Sequence, residues 1–224
     1  MENNIGILAT KRLASNQKQF LLNAGFWVMD EDFITINLIA FEISTTEDVL
    51  IFTSQNAVQQ VVKHKEKVGN KPVLCVGKKT KQLLLDHGFS VVRSVSDAEE
   101  LVEIIEKKYL DKSFTFFCGK TKLNTIPQFF KERKLPHQII EVYETLETPI
   151  KIAPKMDGIL FFSPSGVSSY MKENKITNEI CFCIGSTTAT AVEPFTKNII
   201  MANQPSVENV IIQCINYFKS KKND

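Results

Sequence analysis

The chain has 224 residues, 43% of them hydrophobic, which is enough for a packed core in one large or two small domains and excludes a disordered chain. Lys and Arg total 27 and Asp and Glu total 25, so the net charge is +2, which argues against a dedicated nucleic-acid-binding protein. No apolar run reaches the roughly 18 residues that a membrane-spanning helix needs, and no signal peptide is recognisable, so we expect a cytoplasmic protein with no membrane partner.

Short apolar runs alternate with amphipathic stretches of about ten residues, a pattern typical of βα units on a parallel sheet. In chain order, the predicted strands are residues 5–9, 27–29, 49–52, 73–76, 91–93, 114–118, 138–142, 158–162, 180–184 and 199–201. The predicted helices are residues 15–24, 56–64, 79–87, 98–109, 123–133, 165–172, 187–192 and 206–218. Two longer extended segments, 32–42 and 139–148, interrupt this alternation, and we predict that they are strands joining two domains.

The chain also repeats itself at a spacing of 108 or 109 residues. Four segments recur in order: residues 7–11, 50–58, 76–80 and 99–102 match residues 116–120, 159–167, 184–188 and 208–211. The clearest match is between LIFTSQNAV and ILFFSPSGV. A period this long indicates two duplicated domains and not a solenoid.

Small hydroxyl residues follow four of the predicted strands. They lie in residues 53–56 (TSQN), 77–80 (GKKT), 163–166 (SPSG) and 185–188 (GSTT). In parallel α/β sheets, ligands bind beyond the carboxyl ends of the strands, where free helix amides favour anions. Ser, Thr and Asn also cap helices in any protein, so one such segment alone would not be evidence for a binding site. For the set of four, we favour anion binding.

Residue patterns of several common catalytic sites are missing. No phosphate-binding glycine loop follows a strand, no Ser–His–acid or Cys–His arrangement is suggested, and carboxylates are sparse at the predicted strand ends. The three histidines and five cysteines show no metal-ligand spacing, so we expect no metal site and cysteines that behave as buried hydrophobes. One phenol, Tyr143, lies in the second extended segment, where it faces the interdomain space or is an ordinary strand aromatic.

Five segments together resemble the uroporphyrinogen-III synthase family. They are residues 49–58 (VLIFTSQNAV), 76–80 (VGKKT), 142–145 (VYET), 161–167 (FFSPSGV) and 184–189 (IGSTTA). Each motif alone is weak, but their order and spacing are specific, and the resemblance runs from residue 5 to about residue 218. Members of this family are cofactor-free cyclases of tetrapyrrole (haem) biosynthesis, so the resemblance implies an enzyme without a cofactor.

The resemblance implies two flavodoxin-like, parallel-sheet α/β domains, pseudo-duplicated and joined by a two-stranded linker, with the active site in the cleft between them. One domain would combine residues 1–38 with residues 148–224, and the other would be residues 42–140. Residues 32–42 and 139–148 would be the crossover linker strands. We also expect a monomer.

The implied substrate is hydroxymethylbilane, a linear tetrapyrrole with eight carboxylates, received in a transient hand-off from hydroxymethylbilane synthase. The implied reaction is that of a cyclising hydro-lyase, which closes the ring with loss of water and inverts ring D to give uroporphyrinogen III. The leaving hydroxyl must be assisted, the resulting azafulvene cation must be tolerated, and ring D must be positioned to attack through its substituted carbon.

The resemblance assigns the catalytic role to Tyr143, since a phenol stays protonated at neutral pH and can assist the departing hydroxyl. The implied substrate-binding residues are Ser54, Asn56, Thr80, Gly119, Lys120, Ser163, Ser165, Gly166, Thr187 and Thr188. Many members have an arginine shortly after the glycine that corresponds to Gly119, whereas this chain has Lys120, Lys122 and then Leu123. A lysine binds a carboxylate only as a point charge. Arg12, after the first strand, is either a further substrate-binding residue or a surface arginine.

Two other classes of protein remain open. A non-catalytic, two-lobed α/β binding protein for an anionic small molecule would use the same hydroxyl segments without an acid at Tyr143. Such proteins are usually exported, and no signal peptide is recognisable. A receiver-like regulatory module would need an acidic cluster at the strand ends, where this chain carries hydroxyls. We therefore favour the cyclase.

Overall fold

The computed structural model describes residues 5–221, and the chain divides into two compact units. Unit 1 comprises Met1–Thr35 and Leu146–Asp224, and unit 2 comprises Ile36–Thr145. The expected domain range 1–38 and 148–224 includes residues 1–4 and 222–224, which lie outside the described residues. Both unit boundaries fall within the extended segments 32–42 and 139–148.

Within residues 5–221, strands and helices alternate along most of the chain. The strands are β1 (Gly6–Ala9), β2 (Trp27–Asp30), β3 (Ile34–Leu38), β4 (Val49–Phe52), β5 (Pro72–Val76), β6 (Ser90–Val95), β7 (Phe114–Gly119), β8 (His137–Glu147), β9 (Gly158–Phe161), β10 (Ile180–Cys183) and β11 (Ile199–Met201). The helices are α1 (Ser15–Asn23), α2 (Gln55–Val61), α3 (Lys65–Val68), α4 (Lys78–Asp86), α5 (Ala98–Lys108), α6 (Thr125–Glu132), α7 (Pro164–Glu173), α8 (Ser186–Val192) and α9 (Val207–Ser220). A 3₁₀ turn, Val62–His64, joins α2 to α3.

Each unit contains one sheet. The sheet of unit 1 has the order β11-β10-β9-β1-β2, and its neighbouring strands are parallel. The six-stranded sheet has the order β3-β8-β7-β4-β5-β6, and β4 to β8 form parallel pairs. The prediction of two mostly parallel sheets is therefore confirmed.

The two 109-residue repeats exchange strands between the units. Repeat 1 supplies β1, β2, β4, β5 and β6, and repeat 2 supplies β7 to β11. Numbered within the repeats, both sheets have the order 2-1-3-4-5, which is the flavodoxin-like order. Each unit thus combines the first two strands of one repeat with the last three strands of the other, in agreement with a pseudo-duplicated fold.

Both faces of each central strand are buried, as parallel sheets covered by helices require. In unit 1, Leu160 of β9 packs into one apolar cluster, whereas its neighbours Ile159 and Phe161 pack into the cluster on the opposite face. In unit 2, Phe52 of β4 and Ile51 divide in the same way. Successive residues of a strand face opposite sides of the sheet, and both sides are buried, so these strands are almost wholly apolar. No helix within residues 5–221 has the length and apolarity to cross a membrane.

Several elements differ from their predicted limits, and of the extended segment 32–42 only Ile34–Leu38 (β3) is a strand. The predicted strand 138–142 and the extended segment 139–148 are one continuous strand, β8. The predicted helix 56–64 is regular only to Val61, because the two adjoining β-branched residues Val61 and Val62 favour a helix weakly and the chain continues as the 3₁₀ turn.

Candidate active site

Tyr143 lies on β8 and its phenol is held by Ser54. The Tyr143 hydroxyl donates a hydrogen bond to Ser54 Oγ at 3.0 Å. Ser54 lies two residues after the end of β4 and caps α2. Its Oγ also accepts a hydrogen bond from the Asn56 backbone N–H at 3.1 Å. Since β7 lies between β8 and β4 in the sheet, the phenol reaches across β7 to the end of β4. Three of the predicted site residues therefore meet in one hydrogen-bonded group.

Gly119, the last residue of β7, makes this reach possible. It pairs with Tyr143, and a Cβ placed on Gly119 would lie 2.7 Å from Tyr143 Cζ and 3.0 Å from its hydroxyl oxygen. The register of β7 and β8 shifts between Cys118 and Gly119, so that Tyr143 and not Val142 is opposite the glycine. A bulge of this kind re-aims a side chain, here the phenol. Gly119 thus serves the placement of the tyrosine ring.

Two ion pairs flank Tyr143 along β8. Lys120 Nζ lies 3.4 Å from Glu144 Oε2, and Lys122 Nζ lies 2.6 Å from Glu141 Oε1. The Lys120 N–H also donates to the Tyr143 carbonyl at 2.8 Å. The segment after β7 is therefore fastened to β8 on both sides of the tyrosine, and each nearby lysine is matched by a carboxylate.

Hydrogen bonds shift the pKa values of these charged groups. The Asn37 side-chain amide and then Lys120 hold the pKa of Glu144 below its usual value. The hydrogen bond to Glu141 raises the pKa of Lys122. Burial raises the pKa of Cys118, which precedes Gly119, to about 12. At neutral pH this thiol is protonated, so it is no nucleophile for the site.

Thr80, the remaining predicted site residue of unit 2, lies in the first turn of α4 after β5. Its side chain is buried and the residue is only 5% exposed. The preceding Gly77 has a φ of +89°, which turns the chain sharply from the strand into the helix. The Thr80 hydroxyl lies beside this turn, 3.8 Å from a Cβ placed on Gly77.

In unit 1, Ser163 follows β9 and caps α7. Its Oγ accepts a hydrogen bond from the Gly166 N–H at 3.0 Å, and Pro164 occupies the first turn, where its missing N–H costs nothing. Gly166 is buried, and a Cβ there would lie 3.6 Å from Thr10 Oγ1 at the end of β1. Ser165 is partly exposed. The predicted serine-rich turn is therefore present at the carboxyl end of the sheet.

The paired threonines of unit 1 point in different directions. Thr187 is exposed at the start of α8, whereas Thr188 is 1% exposed. Thr188 occupies the position of Thr80 in the repeat, and both are buried. Of the pair, Thr187 is the side chain that reaches solvent.

Arg12 lies in the loop after β1, and its charge is matched. Its guanidinium Nη2 lies 3.2 Å from Glu31 Oε2. The backbone N–H of Arg12 donates a hydrogen bond to Asp32 Oδ1 at 2.8 Å. The side chain is 71% exposed. Arg12 therefore stands at the predicted end of the sheet, engaged with acidic residues that follow β2.

The sequence did not single out Glu141 and Glu144, although they flank Tyr143 and pair with the two lysines that depart from the family pattern. The one signal was the presence of two nearby lysines, at 120 and 122, and two nearby glutamates, at 141 and 144. Among residues 5–221, no three His, Cys, Asp or Glu side chains come together in a group that could hold a metal ion.

Comparisons with known proteins agree with this architecture. Residues 30–212 match the family model described as Uroporphyrinogen-III synthase HemD. The fold is similar to that of uroporphyrinogen-III synthetase from Helicobacter pylori, with a TM-score of 0.70 and 20% identity over 95% of this chain and 99% of that one. It is also similar to a mutant uroporphyrinogen III synthase from Thermus thermophilus, with a TM-score of 0.72 and 12% identity over 97% of this chain and 99% of that one. The chain belongs to the uroporphyrinogen-III synthase family.

Proposed function

We propose that this protein cyclises hydroxymethylbilane with loss of water and inversion of ring D, as a hydro-lyase that forms uroporphyrinogen III. Family membership supports the reaction. The observation that supports a site for it is the hydrogen bond between Tyr143 and Ser54 at the carboxyl end of the sheet of unit 2. We also propose that units 1 and 2 are the two domains of this family, and that the enzyme acts as a cytoplasmic monomer supplied by hydroxymethylbilane synthase.

The Tyr143–Ser54 pair retains one hydroxyl proton for the substrate. The two side chains carry two O–H groups, and one of them is used in the bond between them. The Asn56 N–H occupies a further lone pair of Ser54. In this geometry the remaining O–H is that of Ser54, oriented by the Tyr143 phenol, and it can donate to the hydroxyl that leaves ring A, which assists its departure as water. The pair is therefore a neutral acid held in position by backbone and side-chain contacts.

The charges around this pair suit a cationic intermediate. Departure of the hydroxyl leaves an azafulvene cation, which an unmatched ammonium group within a few ångströms would oppose. Lys120 and Lys122 lie in the segment after β7 that is fastened to β8 beside Tyr143, and Glu144 and Glu141 match their charges. The ion pairs thereby keep positive charge from acting on the reacting ring.

The acetate and propionate arms of the substrate need donors spread over several loops. We propose that partly exposed or exposed members of the predicted set with no ion-pair partner supply them, among them Asn56, Ser165 and Thr187, with backbone amides of the same loops. Thr80 and Thr188 are buried in the first turns of α4 and α8, within the same set of loops. Positioning of the flexible tetrapyrrole by these contacts favours attack by ring D through its substituted carbon.

An isomer assay tests this function. Hydroxymethylbilane is generated in situ and supplied to the purified protein with no added cofactor or metal, and the uroporphyrin isomers are separated after oxidation. A predominance of isomer III supports the proposal. Isomer I alone, which is the spontaneous product, from folded protein would overturn it and favour a binding protein for an anionic small molecule.

A further inference from the structure

We infer that Lys11 of unit 1 binds a carboxylate arm of the tetrapyrrole, an inference that rests on the proposed function. Lys11 lies in the loop that follows β1, one residue after Thr10, at the carboxyl end of the sheet. It corresponds to Lys120 in the repeat, 109 residues later, because β1 and β7 are the first strands of the two repeats. The two lysines therefore stand at equivalent places in unit 1 and unit 2.

The two lysines differ in what matches their charge. Lys120 is paired with Glu144. In the part of the chain that the structure describes, no Asp or Glu oxygen lies within 4.0 Å of Lys11 Nζ, which instead lies 6.0 Å from the centroid of the Phe162 ring. A cation near an aromatic face keeps its full charge and its N–H donors. Lys11 thus has an ammonium group available to an anion.

The acidic residues near Lys11 in the sheet are engaged by other groups. Asp30, at the end of β2, is 2.5 Å from Lys18 Nζ and also accepts the Leu13 N–H. Glu31 pairs with Arg12, and Asp32 accepts the Arg12 N–H. None of these three carboxylates is an ion-pair partner of Lys11, so the Lys11 ammonium at this end of the sheet of unit 1 is free to bind an anion.

The loop that follows β9 next to Lys11 supplies only neutral donors. Phe162 immediately precedes the capping residue Ser163, whose Oγ already takes the Gly166 N–H. Pro164 has no N–H to offer. An ammonium group carries three N–H donors, so Lys11 is the strongest donor beside this loop. The ligand that this chemistry recognises is a carboxylate, the group that hydroxymethylbilane carries eight times.

A lysine that holds an arm of the substrate and stands outside the Tyr143 group should affect binding more than chemistry. We expect Lys11→Gln to raise KM about 10-fold, the loss of one charge-assisted hydrogen bond, and to leave kcat within about twofold. Lys11→Arg should restore KM, since it restores the positive charge. Lys197→Gln removes an exposed lysine that precedes β11, at the opposite end of the same sheet, and should leave KM unchanged.

Porphyrin binding separates this inference from the proposed function. The affinities of the wild type, Lys11→Gln and Lys197→Gln for uroporphyrin III, with eight carboxylates, and coproporphyrin III, with four propionates, are measured by fluorescence. A loss of about 10-fold for uroporphyrin III in Lys11→Gln alone supports the inference. If Lys11→Gln also loses affinity for coproporphyrin III, the contact is with a propionate. If its affinity for coproporphyrin III is unchanged, the contact is with an acetate. Equal uroporphyrin affinity in Lys11→Gln and the wild type overturns the inference, whatever isomer the wild type forms.

Discussion

At the scale of the residue, Gly119 controls where the phenol of Tyr143 can lie. The ring occupies the space that a side chain on Gly119 would fill, with 2.7 Å between the added Cβ and Tyr143 Cζ. That distance is far below van der Waals contact, and the nearest atoms belong to a ring that is fixed at its hydroxyl by Ser54. Any side chain at 119 must therefore displace the phenol.

Gly119→Ala should accordingly lower kcat at least 10-fold, because the displaced phenol loses its alignment with Ser54 and the substrate. It should also destabilise the fold by about 1–3 kcal/mol through overpacking. Kinetics and urea unfolding measure the two effects. Combining Gly119→Ala with Tyr143→Ala provides the control: the alanine at 119 should cost little stability once the ring is gone. An equal cost in both backgrounds would contradict the contact.

The resemblance to the family implied Tyr143, Ser54 and Gly119 one at a time, with a catalytic role only for the tyrosine. It could not join them, because their contact depends on the sheet order β8-β7-β4 and on the bulge between Cys118 and Gly119. Neither the sheet order nor the bulge produces a local pattern in the amino-acid sequence. Thr80 was also implied as a ligand contact, and its side chain is buried in the structure, so that contact stays a prediction.

At the scale of the element, serine caps link the strand ends to the helices that follow. Ser54, Ser163 and Ser206 begin α2, α7 and α9, and each accepts a backbone N–H from the first helical turn. The apolar runs and capping residues in the sequence predicted these elements because both signals are local. The continuous strand β8 was harder to predict, since its length is set by pairing with neighbouring strands and not by its own composition.

Ser163→Ala and Ser206→Ala form a matched pair for separating capping from function. Each removes one N-cap hydrogen bond, so each should lower the free energy of unfolding by about 1 kcal/mol. Only Ser163→Ala should also lower kcat/KM, because Ser163 shapes the loop that we propose binds substrate. Equal kcat/KM values for the two variants would show that Ser163 is a cap and nothing more.

Acid should weaken the attachment of β8 to its neighbours. The pKa of Glu144 is lowered in the folded protein, first by the Asn37 amide and then by Lys120. The folded state therefore binds fewer protons than the unfolded state near the usual value of 4.5. The contribution of Glu144 to stability is present above that pH and is lost as the pH falls through the folded-state pKa.

We therefore expect the unfolding temperature of the wild type to fall below about pH 4.5 and that of Glu144→Gln to fall less steeply. Thermal unfolding followed by circular dichroism between pH 7 and pH 3 measures both. Parallel curves for the two proteins would show that Glu144 does not contribute to the acid sensitivity.

At the scale of the whole molecule, the 109-residue repeat predicted a duplication but not the exchange of strands. Periodicity reports which segments are alike, whereas the exchange depends on which of two equivalent sheets each strand joins. The resemblance to the family supplied that expectation. Both sheets place their first repeat strand, β1 or β7, at the second position from one end of the five parallel strands. Lys11 and Lys120 consequently stand at equivalent ends of different sheets.

The five cysteines report on the integrity of both sheets. Cys75, Cys118, Cys181, Cys183 and Cys214 are free and buried. Burial raises the pKa of each thiol. We expect none to react within minutes with a thiol-specific chromogenic reagent at pH 8, and all five to react in denaturant. Rapid reaction of even one thiol in the native protein would contradict the packing of its strand or helix.

The most direct test of the proposed reaction compares the wild type with Tyr143→Phe in the isomer assay. We expect mostly uroporphyrin III from the wild type. Tyr143→Phe keeps the ring against Gly119 but removes one of the two hydroxyls, so turnover should fall severalfold or more. The share of isomer I should rise, because spontaneous closure then competes. Only isomer I from folded wild type would contradict the reaction, and equal turnover by the two proteins would contradict the role of the phenol.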